Sequence, residues 1–124
     1  MLIMNYKKRF GQEGEAAVVQ YLAEREYEIL AKNFSINHKI GEIDIIAKKD
    51  RLIIFVEVKT RARDDAVLVS EMVSRIKQKK IIVMAKFFLE KEKIDIEKYV
   101  LRFDIAVVIR NKINYFDNAF TASE

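Results

Sequence analysis

The stretch "GEIDIIAKKDRLIIFVEVKT" (residues 41–60) contains two apolar runs separated by the short polar segment "KKD" (48–50). Two such runs joined by so few residues are typical of a β-hairpin. Each run is apolar at consecutive positions, which is typical of central strands buried on both faces. The stretch therefore predicts a hairpin inside a sheet, with strands at 41–47 and 51–60.

Charged residues interrupt this apolar hairpin near one end. Glu57 and Lys59 are two residues apart, so they project to the same side of their strand. A turn near residues 49–50 would place Glu42 opposite Glu57, with Asp44 as a diagonal neighbour. Residue numbers of opposite partners in an antiparallel hairpin add up to a constant. If that constant is larger by two, Asp44 lies opposite Glu57 instead. In both registers Asp44, Glu57 and Lys59 share a face, which brings two carboxylates and one amine together.

Two interpretations of these charges remain open at this point. Carboxylates at such short range repel, and a raised pKa or a bound cation relieves the repulsion. All-oxygen ligands of this type suit Mg²⁺ or Mn²⁺. Charged residues at strand ends are also commonly solvated, and a Glu/Lys pair can be an ordinary ion pair.

The rest of the chain predicts a mixed sheet flanked by helices, which is an α/β fold class. Hydrophobic periodicity indicates helices at 10–25 and 70–89, strands at 27–37, 99–109 and 113–117, and a loop at 61–69. The order is α-β-β-β-α-β with a short edge strand. Proline is absent and only three glycines occur, with no repeat or linker, so we expect a single domain over 1–124.

Composition narrows the class of protein. Cysteine is absent, which excludes disulfides and zinc-thiolate sites and fits a reducing, cytoplasmic location. No apolar run reaches the roughly 18 residues of a membrane span, and charges interrupt the start of the chain where a signal peptide is apolar, so neither a membrane protein nor an exported one is expected. The formal net charge of +4 favours a polyanionic partner.

Five motifs together resemble a known family. They are "GQEGE" (11–15), "GEIDIIA" (41–47), "FVEVKTR" (55–61), "RIKQKK" (75–80) and "RFDIAVV" (102–108). The chain resembles the YraN-type family of small bacterial proteins over about residues 11–109. That family is grouped with the PD-(D/E)xK nuclease superfamily and is similar to archaeal Holliday-junction resolvases. The resemblance implies the restriction-endonuclease-like α-β-β-β-α-β core.

The resemblance also implies roles for individual residues. Asp44, Glu57 and Lys59 match the catalytic residues, and Glu15, Asp44 and Glu57 match the ligands of Mg²⁺ or Mn²⁺. Gln78 matches a supporting position of the family on the second helix, and the hairpin register adds Glu42 as a second supporting position. The chain departs from the superfamily pattern at Ile43, which replaces a proline, and in the 61–69 loop, which lacks the glycines expected in the family.

Basic residues follow the acids and lie on the second helix, where they would form a track for nucleic-acid phosphates. They are Arg61, Arg63, Arg75, Lys77, Lys79 and Lys80. The competing interpretation is that "RIKQKK" is an ordinary solvated helix face.

Three functions follow as hypotheses. The resemblance implies a metal-dependent endonuclease that hydrolyses DNA phosphodiester bonds, structure-selective like a resolvase, acting in recombination or repair and as a homodimer. The alternative is a non-catalytic or partner-dependent nucleic-acid-binding protein of the same fold. A third is a structural domain that binds another protein through its edge strand at 113–117.

Other chemistry-bearing residues favour structural roles. His38 is the only histidine and lies in a polar stretch, so a surface position is expected and a serine-hydrolase triad is not. No P-loop motif occurs. Asp104 is expected to pair with Arg102. Three residues of the second helix, Met84, Phe87 and Phe88, are expected in the core.

Overall fold

The computed structural model describes residues 2–62 and 72–122, with side chains from residue 9 onward. Its elements are α1 (Leu2–Glu24), β1 (Glu28–Phe34), β2 (Ile43–Lys49), β3 (Leu52–Arg61), α2 (Arg75–Lys91), a 3-10 turn (Ile96–Lys98), β4 (Val100–Ile109) and β5 (Lys112–Phe120). The strands form one sheet in the order β1-β2-β3-β4-β5, parallel between β3 and β4 and antiparallel elsewhere. The predicted α/β class, with a mixed sheet flanked by helices, is confirmed.

The central hairpin turns one residue later than predicted. Lys49 lies opposite Leu52, so the turn consists of Asp50 and Arg51. Asp50 has a φ of 53°, a left-handed conformation that aspartate tolerates better than most residues. Because the turn lies one residue later, each residue of β2 faces a partner two positions further along β3. The last pair of the ladder is Ile45 with Val56, and continuing this register places Asp44 opposite Glu57. The register with Glu42 opposite Glu57 is therefore wrong, and the alternative register is correct.

Each face of the sheet is covered by one helix. On one face, Val18 and Leu22 of α1 pack with a cluster that contains Ile45 and Ile54. On the other face, α2 packs on a second cluster. The members that the hairpin and α2 contribute to it include Ile46, Ile53, Phe55, Met84 and Phe88. Strands β2 and β3 are thus buried on both sides, as their continuous apolar runs predict.

Two glycines of the motifs permit close approach of neighbouring elements. A Cβ on Gly14 in α1 would collide with Oγ1 of Thr60 at the end of β3. A Cβ on Gly41 would lie 3.1 Å from both Cβ and the carbonyl oxygen of Lys80 in α2. The missing side chains let α1 approach the end of β3 and let the β1–β2 loop approach α2.

Asp104 in β4 is a fully buried carboxylate. Its carboxylate accepts hydrogen bonds from Nε and Nη2 of Arg102 at 2.9 and 3.0 Å, from the Tyr115 hydroxyl, and from the backbone N–H of Asn118. The register between β4 and β5 shifts beside this residue. The predicted pair with Arg102 is confirmed, and the side chain ties an irregular part of the sheet together.

Several element boundaries differ from the predictions. Helix α1 begins at Leu2 rather than residue 10, β1 ends at Phe34 rather than 37, and β5 is longer than 113–117. The helix predicted for 70–89 is α2, and the predicted loop lies outside the described residues from 63 to 69. Met84 and Phe88 are buried as expected, but Phe87 is 40% exposed, so its placement in the core is wrong. Neither helix of the described chain has the length and apolar character needed to cross a membrane.

Candidate functional site

A cavity of about 340 Å³ opens between the acidic end of the hairpin and the start of α2. From the strands and the preceding loop it is lined by His38, Gly41, Glu42, Asp44 and Glu57. From the helix it is lined by Ser74, Ile76, Lys77, Lys80 and Ile81. Two of the three carboxylates predicted to bind a metal therefore face one cavity.

Asp44 is nearly buried at the start of β2, with 9% of its surface exposed. Its Oδ2 accepts a hydrogen bond of 2.8 Å from the backbone N–H of Val58. Burial, followed by the charge of Glu57, raises the pKa of Asp44 to about 8, although the Val58 N–H acts in the opposite direction. Without a bound cation, the carboxyl group of Asp44 therefore holds a proton at neutral pH.

Glu57 is more deeply buried and is paired with two lysines through a single oxygen. Its Oε2 lies 3.2 Å from Nζ of Lys59 and 2.5 Å from Nζ of Lys77, and only 3% of the side chain is exposed. Its Oε1 is buried and has no hydrogen-bond partner among the described residues. A buried carboxylate oxygen without a partner is costly, and it marks a position where a ligand would be stabilising.

Lys77 reaches the site from the first turn of α2. Ser74 caps this helix by accepting a hydrogen bond from the Lys77 N–H, which fixes the turn beside the cavity. Burial lowers the pKa of Lys77, but its bond to Glu57 and the nearby negative charges outweigh burial, so the pKa lies above its usual value. Lys77 was predicted on a phosphate track or a solvated face, and in this structure it instead pairs with the central acid of the site.

Helical periodicity contains a signal for this position. Lys77 precedes the buried residues Ile81, Met84 and Phe88 by four, seven and eleven positions, so it lies on the apolar face of α2. A lysine in line with a buried stripe needs a buried partner. The sequence does not identify this partner, and the tertiary structure shows that it is Glu57.

Glu15 lies close to the acids but does not join them in one cluster. Its Oε1 accepts a hydrogen bond of 3.0 Å from Nδ2 of Asn33, and its charge contributes to the raised pKa of Asp44. Within the described residues, no group of three or more Asp, Glu, His or Cys side chains is close enough to hold a metal ion. A ligand role for Glu15 therefore stays a prediction.

The two supporting positions differ in location. Glu42 lines the cavity and lies 3.8 Å from Nδ1 of the exposed His38, whose predicted surface position is confirmed. Gln78 is not among the described residues that line the cavity, and its Nε2 donates a hydrogen bond of 2.9 Å to the Val73 carbonyl.

The other predicted cations are spread around the site. Lys80 lines the cavity, and Arg61, Arg75 and Lys79 are exposed. Arg63 lies outside the described residues. Arg75, Lys79 and Lys80 lie in the first two turns of α2, where their charges add to the positive end of the helix dipole, which is favourable for an anion.

The arrangement of acids fits a divalent cation. Mg²⁺ in proteins is typically bound through one or two carboxylates and keeps several waters. Asp44 and Glu57 supply two carboxylates on adjacent strands, and Oε1 of Glu57 has no competing partner in the described chain. Metal binding would require Asp44 to release its proton, as metal ligands generally must.

Comparison with known proteins identifies the family. Residues 14–108 match the uncharacterised protein family UPF0102. A UPF0102 protein of Caldanaerobacter subterraneus is 42% identical over 121 residues, covering 92% of this chain and 96% of the relative. A UPF0102 protein of Clostridioides difficile is 42% identical over 119 residues, covering 94% of this chain and all of the relative. The chain therefore belongs to the UPF0102 family.

Proposed function

We propose that this protein is a metal-dependent endonuclease that hydrolyses phosphodiester bonds in DNA. The observation that carries the proposal is the shared cavity of Asp44 and Glu57, which lie opposite each other when the hairpin register is continued, with a buried Glu57 oxygen that has no partner among the described residues. A lysine two residues beyond the second acid lies within 3.2 Å of it. Two carboxylates and a lysine are the groups that a metal-assisted hydrolysis needs.

The residues divide the work of this reaction. Asp44 and Glu57 would hold Mg²⁺ or Mn²⁺, and the bound cation lowers the pKa of a water and polarises a phosphoryl oxygen. Lys59 positions the attacking water or stabilises the charge that develops on the phosphoryl oxygens. Positioning and electrostatic stabilisation account for most of the catalysis in phosphoryl transfer, and the buried central hairpin would hold the residues that supply both.

The exposed cations would bind the DNA backbone. Two of these cations, Arg75 and Lys79, are exposed on α2. A third, Lys80, lines the cavity that contains the acids. Contacts of this type recognise phosphates without reading sequence, so selectivity would come from the shape of the substrate. A branched substrate cut in a resolvase-like manner, in recombination or repair, would require two active sites and therefore a homodimer.

The test is cleavage of end-labelled four-way junction, flap, single-stranded and duplex DNA in Mg²⁺ or Mn²⁺. Wild type is compared with Asp44→Asn and Glu57→Gln, and Glu90→Gln on the exposed side of α2 is the matched control. We expect both site variants to lose cleavage while they keep the fold and salt-sensitive DNA binding, and the control to cut like wild type. Cleavage by both site variants at the wild-type rate would show that the assignment is wrong.

A non-catalytic nucleic-acid-binding protein is the second candidate, and one feature of the site favours it. Lys59 and Lys77 already neutralise Glu57, so the buried acid is stable without an ion. This candidate predicts DNA binding that weakens steeply with salt and no cleavage of any substrate in either metal.

A further inference from the structure

We propose that Lys77 is a residue of the ion site, where its ammonium group pairs with Oε2 of Glu57 beside the position of the cation and moves away when a divalent cation binds. The inference rests on the proposed function only for the existence of the ion site. It assigns to Lys77 a role at the ion site that precedes any contact with the DNA backbone.

The first observation is that the two oxygens of the Glu57 carboxylate differ in their contacts. Both lysines contact Oε2, with Nζ of Lys77 at 2.5 Å and Nζ of Lys59 at 3.2 Å, while Oε1 is buried without a partner in the described chain. One buried negative charge thus faces two positive charges. A divalent cation bound to the same carboxylate would add two positive charges, and Asp44 would add one negative charge on losing its proton. The site then carries one more positive charge than before, and repulsion at a separation of a few ångströms favours the departure of a positive group.

The second observation shows which lysine can leave. The Lys77 side chain is 43% exposed and lines the cavity, whereas the Lys59 side chain is only 18% exposed and extends from β3. Lys77 has a flexible stem and a path to water, so its ammonium can be solvated after it leaves the acid. Lys59 would have to give up more of its packing to move.

The movement would link the ion to the nucleic acid. After release, the Lys77 ammonium would lie free in the cavity beside Lys80 and the start of α2, where a phosphate is the fitting anion. Without the ion, the same ammonium is held by Glu57 and contributes less to binding a phosphate. Linkage then requires the ion and the DNA backbone each to increase the affinity for the other.

The decisive experiment measures Mn²⁺ binding without nucleic acid, by electron paramagnetic resonance of the free ion. Lys77→Met removes the competing ammonium, Lys77→Arg keeps a positive charge, and Lys86→Met removes an exposed lysine farther along the same helix. Since a hydrogen bond to a charged group is lost on displacement in the wild type, Lys77→Met should bind Mn²⁺ about 10-fold more tightly. The other two variants should bind like wild type.

A second measurement follows Lys77 itself, in the ¹H–¹⁵N spectrum of the lysine ammonium groups at low temperature. The paired ammonium should give a protected signal without metal, absent from Lys77→Met, and Mg²⁺ should remove or shift it. Equal Mn²⁺ affinity of wild type and Lys77→Met would overturn the inference and leave the proposed nuclease intact. Absence of Mn²⁺ binding in wild type and in every variant would overturn both.

Discussion

The backbone N–H of Val58 donates a hydrogen bond of 2.8 Å to Oδ2 of Asp44. The first acid of the site is thereby tied to the strand that carries the second acid, one residue beyond Glu57. A hydrogen bond from a backbone donor fixes the carboxyl group without adding charge. The orientation of Asp44 is therefore set by the hairpin itself, before any ligand binds.

Replacing Asp44 by asparagine should stabilise the metal-free protein at neutral and higher pH. The amide oxygen can still accept from Val58, and the variant no longer has a buried carboxyl group to ionise. The folded-state pKa of Asp44 is raised to about 8, above its unfolded value, so its proton-linked stability is complete below about pH 4 and is lost as the pH rises through 8. The advantage of Asp44→Asn should grow by about 3–4 kcal/mol between pH 5 and 8.

This difference is measured by urea unfolding of both proteins in chelator at several pH values. Addition of Mg²⁺ should stabilise wild type and leave Asp44→Asn unchanged, because a ligand stabilises only the protein that binds it. Parallel pH profiles for the two proteins would show that Asp44 does not titrate as the structure indicates.

Lys59 should matter for cleavage and not for ion binding. Lys59→Met removes a cation beside the acids, so Mn²⁺ affinity should not weaken, while the cleavage rate should fall by about 10²–10³, as for loss of one group that stabilises transition-state charge. Single-turnover cleavage and Mn²⁺ titration on the same preparations separate the two effects. Lys112→Met, an exposed lysine on β5, is the matched control, and an equal loss in that variant would argue against a specific role for Lys59.

Tyr115 should make the stability of the fold sensitive to alkaline pH. Burial, followed by the charge of Asp104, raises the pKa of the Tyr115 phenol far above its usual value. Its proton-linked stability is complete below the unfolded pKa of about 10 and is lost as the pH rises above it. Tyr115→Phe should be less stable at pH 7 by about 1 kcal/mol, because it loses the hydrogen bond to Asp104, but its unfolding free energy should fall less between pH 9.5 and 11.

Ionisation of the other tyrosines contributes equally to the unfolding free energy of wild type and of Tyr115→Phe. The difference between the two proteins therefore reports on Tyr115 alone. Denaturant titrations at each pH supply the two curves. Curves that fall together above pH 10 would mean that the Tyr115 phenol ionises in the folded protein as readily as in the unfolded chain.

Gly14 should tolerate no side chain while Thr60 is present. In a helix interior alanine is favoured over glycine by about 1 kcal/mol, so an unconstrained Gly14→Ala would be stabilising. A Cβ at this position would collide with Oγ1 of Thr60, and overpacking of this kind costs about 1–3 kcal/mol. Thermal unfolding of Gly14→Ala, Thr60→Ala and the double variant tests this contact, since the double variant should recover most of the loss. Additive effects of the two substitutions would contradict it.

The hairpin and its two-sided burial could be predicted because the signal is local. Continuous apolar runs and a short polar turn are contained in twenty residues, and the α/β class follows from the order of such segments. The register was ambiguous because one residue decides it. Asp50 adopts a left-handed φ, and the spacing of apolar residues does not distinguish this turn from one centred a residue earlier.

Contacts between distant segments were less accessible to sequence reasoning. The pair between Lys77 and Glu57 joins α2 to β3, and the hydrogen bonds from Tyr115 and Asn118 to Asp104 join β5 to β4. A residue's own segment shows that it is charged and on an apolar face, but not which partner it meets. The acids themselves were found through spacing and resemblance, while the lysine that pairs with them required the tertiary structure.

The two-residue turn at Asp50 and Arg51 has a consequence for how this family can vary. The acids lie at the far end of the same hairpin, so the number of residues between Asp44 and Glu57 determines whether they meet. One inserted residue within β2 or β3 would move one acid to the opposite face of the sheet, while the same insertion in the β1–β2 loop would leave the pair unchanged. Among relatives that keep this chemistry, the interval between the two acids should therefore have a fixed length, and changes of length should occur in other connections.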